Sequence, residues 1–145
     1  MRKVFMIEDN EDHALLIRKG IEEGDCTVVH YPDGLEALKA CQAVENHDSK
    51  PDLILLDLKL PGMDGFDVLR NLKQIKGFEQ IPVVMLTTSC RKQEIEKAYQ
   101  LGAVGYVVKS EDFGELMAKL RRVKDYWFQT VEFPNSRPAA HVEGT

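Results

Sequence analysis

Four short runs of this chain carry no polar residue on either side of a strand: VFMI at 4–7, LILL at 53–56, VVML at 83–86 and YVV at 106–108. A strand with one solvated face alternates polar and apolar residues. A run without alternation must be covered on both faces. Between these runs, apolar residues recur at helical spacing. Buried strands alternating with amphipathic helices call for a parallel sheet covered by helices on both faces, joined by right-handed crossovers. CTVVHY at 26–31 supplies a fifth, less apolar strand.

Caps and stops divide the helices. Asn10 or Asp12 begins the first, and Gly24 ends it. Asp33 caps a second that turns Leu35, Leu38 and Cys41 inward. A third runs from about 65 to 75 with Phe66, Leu69 and Leu72 or Lys73 on consecutive turns. A fourth turns Ile95, Ala98 and Tyr99 inward and stops at Gly102. The last starts near Glu111 or Asp112, with Phe113, Leu116, Met117, Leu120 and Trp127 as its apolar stripe.

Each apolar run ends on a polar residue. Glu8 and Asp9 follow VFMI, Asp57 follows LILL, Thr87 follows VVML and Lys109 follows YVV. In a parallel α/β sheet those ends share one edge, where such folds bind ligands. Each residue alone reads as a helix cap or a solvated surface group; together they make a pocket. Three carboxylates in one place repel, and a hard divalent cation with oxygen ligands relieves the charge. Mg²⁺, or Mn²⁺, is the expected cofactor. Asp57 and Asp9 would be direct ligands, Glu8 would act through a metal-bound water or hydrogen bond, and Lys59 would add its backbone carbonyl. Asp57 beside such an ion is a candidate nucleophile toward phosphorus. Lys109 and Thr87 are then placed to meet phosphoryl oxygens.

Composition removes other classes. A net charge of −5 argues against general nucleic-acid binding, which needs a basic face. No apolar stretch approaches the roughly 18 residues of a membrane span, and MRKVFMIEDN runs directly into a strand, so a cytoplasmic protein is expected. Cys26, Cys41 and Cys90 have neither zinc nor C-x-x-C spacing and read as reduced thiols. The histidines show no ligand spacing, and His13 reads as a helix-surface residue.

The segments IEDNED, LILLDLKLPGMDG, VVMLTTS and GYVVKS, in this order, resemble the receiver domains of two-component response regulators. The resemblance covers about residues 3–127. It implies the flavodoxin-like, receiver-type fold: α/β, a five-stranded parallel sheet in the order 2-1-3-4-5. It also implies that Asp57 is the phosphoacceptor for a histidine kinase and that Glu8 and Asp9 are the acidic pair. Thr87 would be the switch hydroxyl, Lys109 the phosphoryl-contacting lysine, and Tyr106 the aromatic that turns inward when Thr87 moves. The protein would signal by a phosphorylation-dependent surface change and catalyse nothing beyond its own phosphorylation and dephosphorylation.

Three positions depart from the family pattern. Glu8 stands where Asp is common and reaches further. Thr88 fills a place that often holds a smaller residue and narrows access to Asp57. Ser110 replaces a frequent proline after the lysine. A cis bond without proline costs about 3 kcal/mol, so a trans Lys109–Ser110 peptide is expected.

Residues 1–127 are expected to form the receiver domain and 128–145 an extension with an ordered or dimer-forming aromatic part and a mobile end. Trp127, Phe128 and Phe133 are too apolar for a solvated tail, and the extension resembles regulators that serve bacterial phytochrome kinases. The extension either folds back on its own core or builds a homodimer with helix four, strand five and helix five. With no output module in the sequence, the domain is expected to act through its own surface. Leu15 or Leu16 should leave the core face of the first helix and meet the kinase.

Two rivals share this chemistry or topology. A haloacid-dehalogenase-type phosphatase needs a second Asp where Lys59 stands. A flavodoxin-type cofactor binder needs a hydroxyl- and glycine-rich loop where EDNEDH stands.

Overall fold

A computed structural model describes residues 2–22, 24–44 and 49–130. Strand β1 (Arg2–Ile7) leads into helix α1 (Glu11–Ile21), then β2 (Cys26–Tyr31), α2 (Gly34–Gln42), β3 (Leu53–Leu56) and α3 (Gly65–Gln74). The chain continues through β4 (Val83–Thr87), α4 (Lys92–Gln100), β5 (Gly105–Val108) and α5 (Phe113–Asp125). A π-helical turn, Tyr126–Thr130, extends the last helix. All strand pairs are parallel, and the sheet order is β2-β1-β3-β4-β5, as expected.

Capping sets the helix starts. The side chains of Asn10, Asp33, Asp64 and Asp112 each accept from the backbone N–H three residues on. Gly102, at φ 107°, ends the fourth helix in a conformation that L-residues with a Cβ avoid.

The two faces of the sheet bury separate cores. Phe5, Ile7, Ile54 and Leu56 pack with α2, α3 and Ala98 of α4. Val4, Met6, Leu53 and Leu55 pack with α1 and α5. This explains why residues 4–7 of β1 and all four residues of β3 are apolar. Trp127 and Phe128 are half-buried against the second core, so this part of the extension folds back on the domain. Phe133 lies outside the described residues.

Three expected inward residues are exposed: Leu35, Tyr99 and Phe113. The buried face of α2 is Gly34, Ala37, Leu38 and Cys41, and Leu35 lies one step round from it. Tyr99 is similarly one step from Ala98, the buried residue of α4. Phe113 opens α5, and a helical side chain leans toward the N-terminus, which carries this one past the packed turns. Trp127 reaches the core from the π-helical turn rather than from the stripe of α5. No described peptide bond is cis, so Lys109–Ser110 is trans as expected.

Candidate functional site

Register brings the polar strand ends level. Ile7 pairs with Leu56, Leu56 with Met85, and Thr87 with Val108, so the next residues in β1, β3 and β5 emerge along one edge. The Asp57 N–H donates to Ile7 O at 3.0 Å, and the Lys109 N–H donates to Thr87 O at 2.7 Å. Among the described residues the buried polar side chains are Glu8, Asp57, Thr87 and Lys109, at 1%, 7%, 0% and 7% exposure. Buried charges persist only when paired, and these are. Lys109 Nζ lies 2.5 Å from Glu8 Oε1 and 3.2 Å from Asp57 Oδ2.

Glu8 is held on every side. Its N–H donates to Tyr31 O at 3.0 Å. His30 Nε2 lies 2.7 Å from its carbonyl oxygen, and the Asn10 N–H donates to its Oε2 at 3.1 Å. Burial raises its carboxyl to about 7; Lys109 opposes that shift, and the neighbouring Asp57 charge adds to it.

One carboxylate oxygen from each of Glu8, Asp9 and Asp57 lies within 4.8 Å of the other two. Asp9 is exposed, so the group is open to solvent on one side. Three hard oxygen donors with excess negative charge suit Mg²⁺ or Mn²⁺. A cleft of about 380 Å³ opens alongside, lined in part by Asp9, Lys59, Phe66 and Glu94.

The Lys59 side chain pairs with Glu94. Its Nζ donates to Glu94 Oε2 at 3.1 Å, and its N–H points at Asp57 Oδ1 at 3.3 Å. Thr87 Oγ1 accepts a long bond from the Ser89 N–H, at 3.4 Å. Thr88 is exposed. The Tyr106 hydroxyl donates to Ser89 O at 2.9 Å, and its ring is half-buried against the first core.

Two residues join the site that sequence reasoning did not place there. His13 is not a plain surface residue: its Nδ1 lies 3.1 Å from Lys109 Nζ and 3.9 Å from Glu8 Oε2. Burial and the Lys109 charge lower its pKa. Glu94 accepts from both Ser89 Oγ and Lys59 Nζ, and those bonds hold its carboxyl below the usual range. The only sequence signal for either was its place in a helix's first turn near a strand end.

The family model described as the response regulator receiver domain matches residues 4–121. The chain belongs to that family. As a receiver domain it is a signalling module of two-component systems. Response regulator Rcp1 of Synechocystis sp. is 31% identical over 135 residues, 90% of this chain and 92% of that protein. The crystal structure of the phosphorylated cyanobacterial phytochrome response regulator RcpA matches with a TM-score of 0.86 at 33% identity, covering 92% of this chain and 99% of that one. The Mn²⁺-bound form of Rcp1 gives a TM-score of 0.83 at 30% identity, with the same coverage of each chain. A divalent metal in that receiver domain accords with the acidic trio here.

Proposed function

We propose that Asp57 accepts a phosphoryl group from the phosphohistidine of a sensor histidine kinase, in a reaction that depends on Mg²⁺ or Mn²⁺. The observation that carries this is the buried Asp57 carboxylate, 3.2 Å from the Lys109 ammonium and within one acidic trio. A carboxylate oxygen of Asp57 forms the new O–P bond while the donor's N–P bond breaks. The bound cation offsets charge that would otherwise keep donor and carboxylates apart.

Both Glu8 oxygens are engaged, by Lys109 and by the Asn10 N–H, which favours Glu8 as a partner of metal-bound water. Asp9, Asp57 and the Lys59 carbonyl would be the direct ligands. Lys109 turns its ammonium onto the phosphoryl oxygens, and Thr87 donates its hydroxyl proton to one of them. Movement of Thr87 would draw on the Ser89 segment and so on Tyr106, whose hydroxyl is bonded there. Thr88 borders the approach. This couples Asp57 to α4 and β5.

The similarity to Rcp1 and RcpA supports a bacterial phytochrome as the kinase. Leu15, 53% exposed on α1 while Leu16 packs inward, is the docking contact on this reading. The receiver domain would span 1–127 with 128–145 as its extension, in a cytoplasmic protein that turns over no other substrate. A homodimer through α4, β5, α5 and the extension would carry the output, with Tyr99 and Val104 as exposed apolar contacts. The fold-back of Trp127 and Phe128 supports the alternative, a monomer.

Incubation with acetyl phosphate and Mg²⁺, followed by intact mass, tests the chemistry. One phosphoryl gained by wild type and none by Asp57→Asn is expected. No gain in wild type defeats the reading.

A further inference from the structure

We infer that His13 is a positioning residue for Lys109, a neutral second anchor that aims the lysine ammonium at the group carried on Asp57. This rests on the phosphoacceptor reading above. An ammonium has three N–H donors and no acceptor. Around Lys109 Nζ stand three acceptors: Glu8 Oε1 at 2.5 Å, His13 Nδ1 at 3.1 Å and Asp57 Oδ2 at 3.2 Å. Because Nζ can only donate, His13 must present a bare Nδ1 and carry its proton on Nε2.

Two anchors on a tetrahedral ammonium leave one N–H, and that one points to Asp57. When a phosphoryl group is on Asp57, the same N–H meets a phosphoryl oxygen while Glu8 and His13 keep theirs. Glu8 alone would let the ammonium swing about a single contact. A carboxylate in place of His13 would hold it, but would also cancel the positive charge that the phosphoryl oxygens need. Imidazole accepts without adding charge.

The backbone fixes the ring in this place. His13 lies in the first turn of α1, and its N–H donates to Asn10 Oδ1 at 3.0 Å. Asn10 is in turn bonded through its own N–H to Glu8 Oε2. Both anchors of Lys109 thus belong to one short, capped segment.

Phosphorylation by acetyl phosphate at saturating Mg²⁺ is compared in wild type, His13→Ala and His13→Asn, with Mg²⁺ affinity measured by calorimetry. Asn puts a neutral acceptor near the position of Nδ1. The expected result is a rate roughly tenfold to a hundredfold lower in His13→Ala, with Asn restoring it to within about threefold and Mg²⁺ affinity little changed. Nitrogen NMR of the wild-type ring should show the Nε2–H tautomer. His13→Ala at the wild-type rate, Ala and Asn equally slow, or an Nδ1–H tautomer would each overturn the inference. If His13→Ala does not fold, the Asn variant and the tautomer decide. Failure of wild type to gain any phosphoryl defeats the phosphoacceptor reading instead, which the tautomer measurement does not touch.

Discussion

Lys59 Nζ lies 3.1 Å from Glu94 Oε2, which ties the loop after β3 to the first turn of α4. The pair stands over the cleft beside the acidic trio. Ser89 Oγ donates to the same carboxylate, so Glu94 gathers the loops that follow β3 and β4.

Glu94→Gln should therefore change metal binding more than stability. An ion pair this exposed contributes about 0–1 kcal/mol. Released Lys59, however, can swing its charge toward Asp9 and Asp57 and repel a cation. Calorimetric titration should show Mg²⁺ bound roughly several-fold more weakly, with an almost unchanged urea midpoint. A large loss of stability with unchanged affinity would contradict this account.

Lys109→Met should cost stability in the metal-free protein. It leaves Glu8 and Asp57 buried with no cation between them, a situation worth about 3–5 kcal/mol in comparable broken pairs. Mg²⁺ should recover part of the loss, and so should acid, because either removes the excess charge. Urea unfolding with and without Mg²⁺ measures both effects.

The proton on Glu8 makes a signed prediction. Folding raises this carboxyl from 4.5 to about 7, so between those values the native state holds a proton that the unfolded chain has released. Metal-free stability from this group should then fall as pH rises through that window. His13 works in the opposite sense: its lowered pKa favours the native state above the ordinary histidine range and less as pH falls. Comparing wild type with Glu8→Gln isolates the Glu8 slope. A nearby Mg²⁺ favours the ionised form of Glu8, so its affinity should weaken below about pH 7 and binding should release protons.

Gly65→Ala tests how closely α3 approaches the site strand. A Cβ there would fall 2.6 Å from Leu58 Cα and 2.5 Å from Asp57 O, both backbone atoms with little room to yield. A loss of about 1–3 kcal/mol is expected, along with slower phosphorylation of a displaced Asp57. Thermal melts and acetyl phosphate labelling read the two effects separately.

The unalternating runs made β1, β3 and β4 legible, because only a twice-covered strand tolerates apolar residues on both sides. Asp33 and Asp112 marked their helix starts because capping is local chemistry. The trio of Glu8, Asp9 and Asp57 followed from strand ends in a parallel sheet, which depends on fold class alone. Leu35 and Tyr99 were misjudged because one residue of helix rotation separates a buried side chain from an exposed one, and neighbouring apolar residues do not reveal the phase. His13 and Glu94 were missed because their partners, Lys109 and Lys59, lie 96 and 35 residues away. Long-range pairs between side chains leave no local pattern.

The guanidinium of Arg2 lies 5.7 Å from the ring centroid of Phe128, so the π-helical turn rests on the opening residue of β1. At the far end of that strand, about 20 Å away, stand Glu8 and Asp9. The six-residue strand is thus gripped at one tip by the aromatic turn and at the other by the acid–lysine cluster. One central strand, paired along both edges, thus carries the packing of the C-terminal turn at its start and leads directly into two of the three clustered carboxylates at its end.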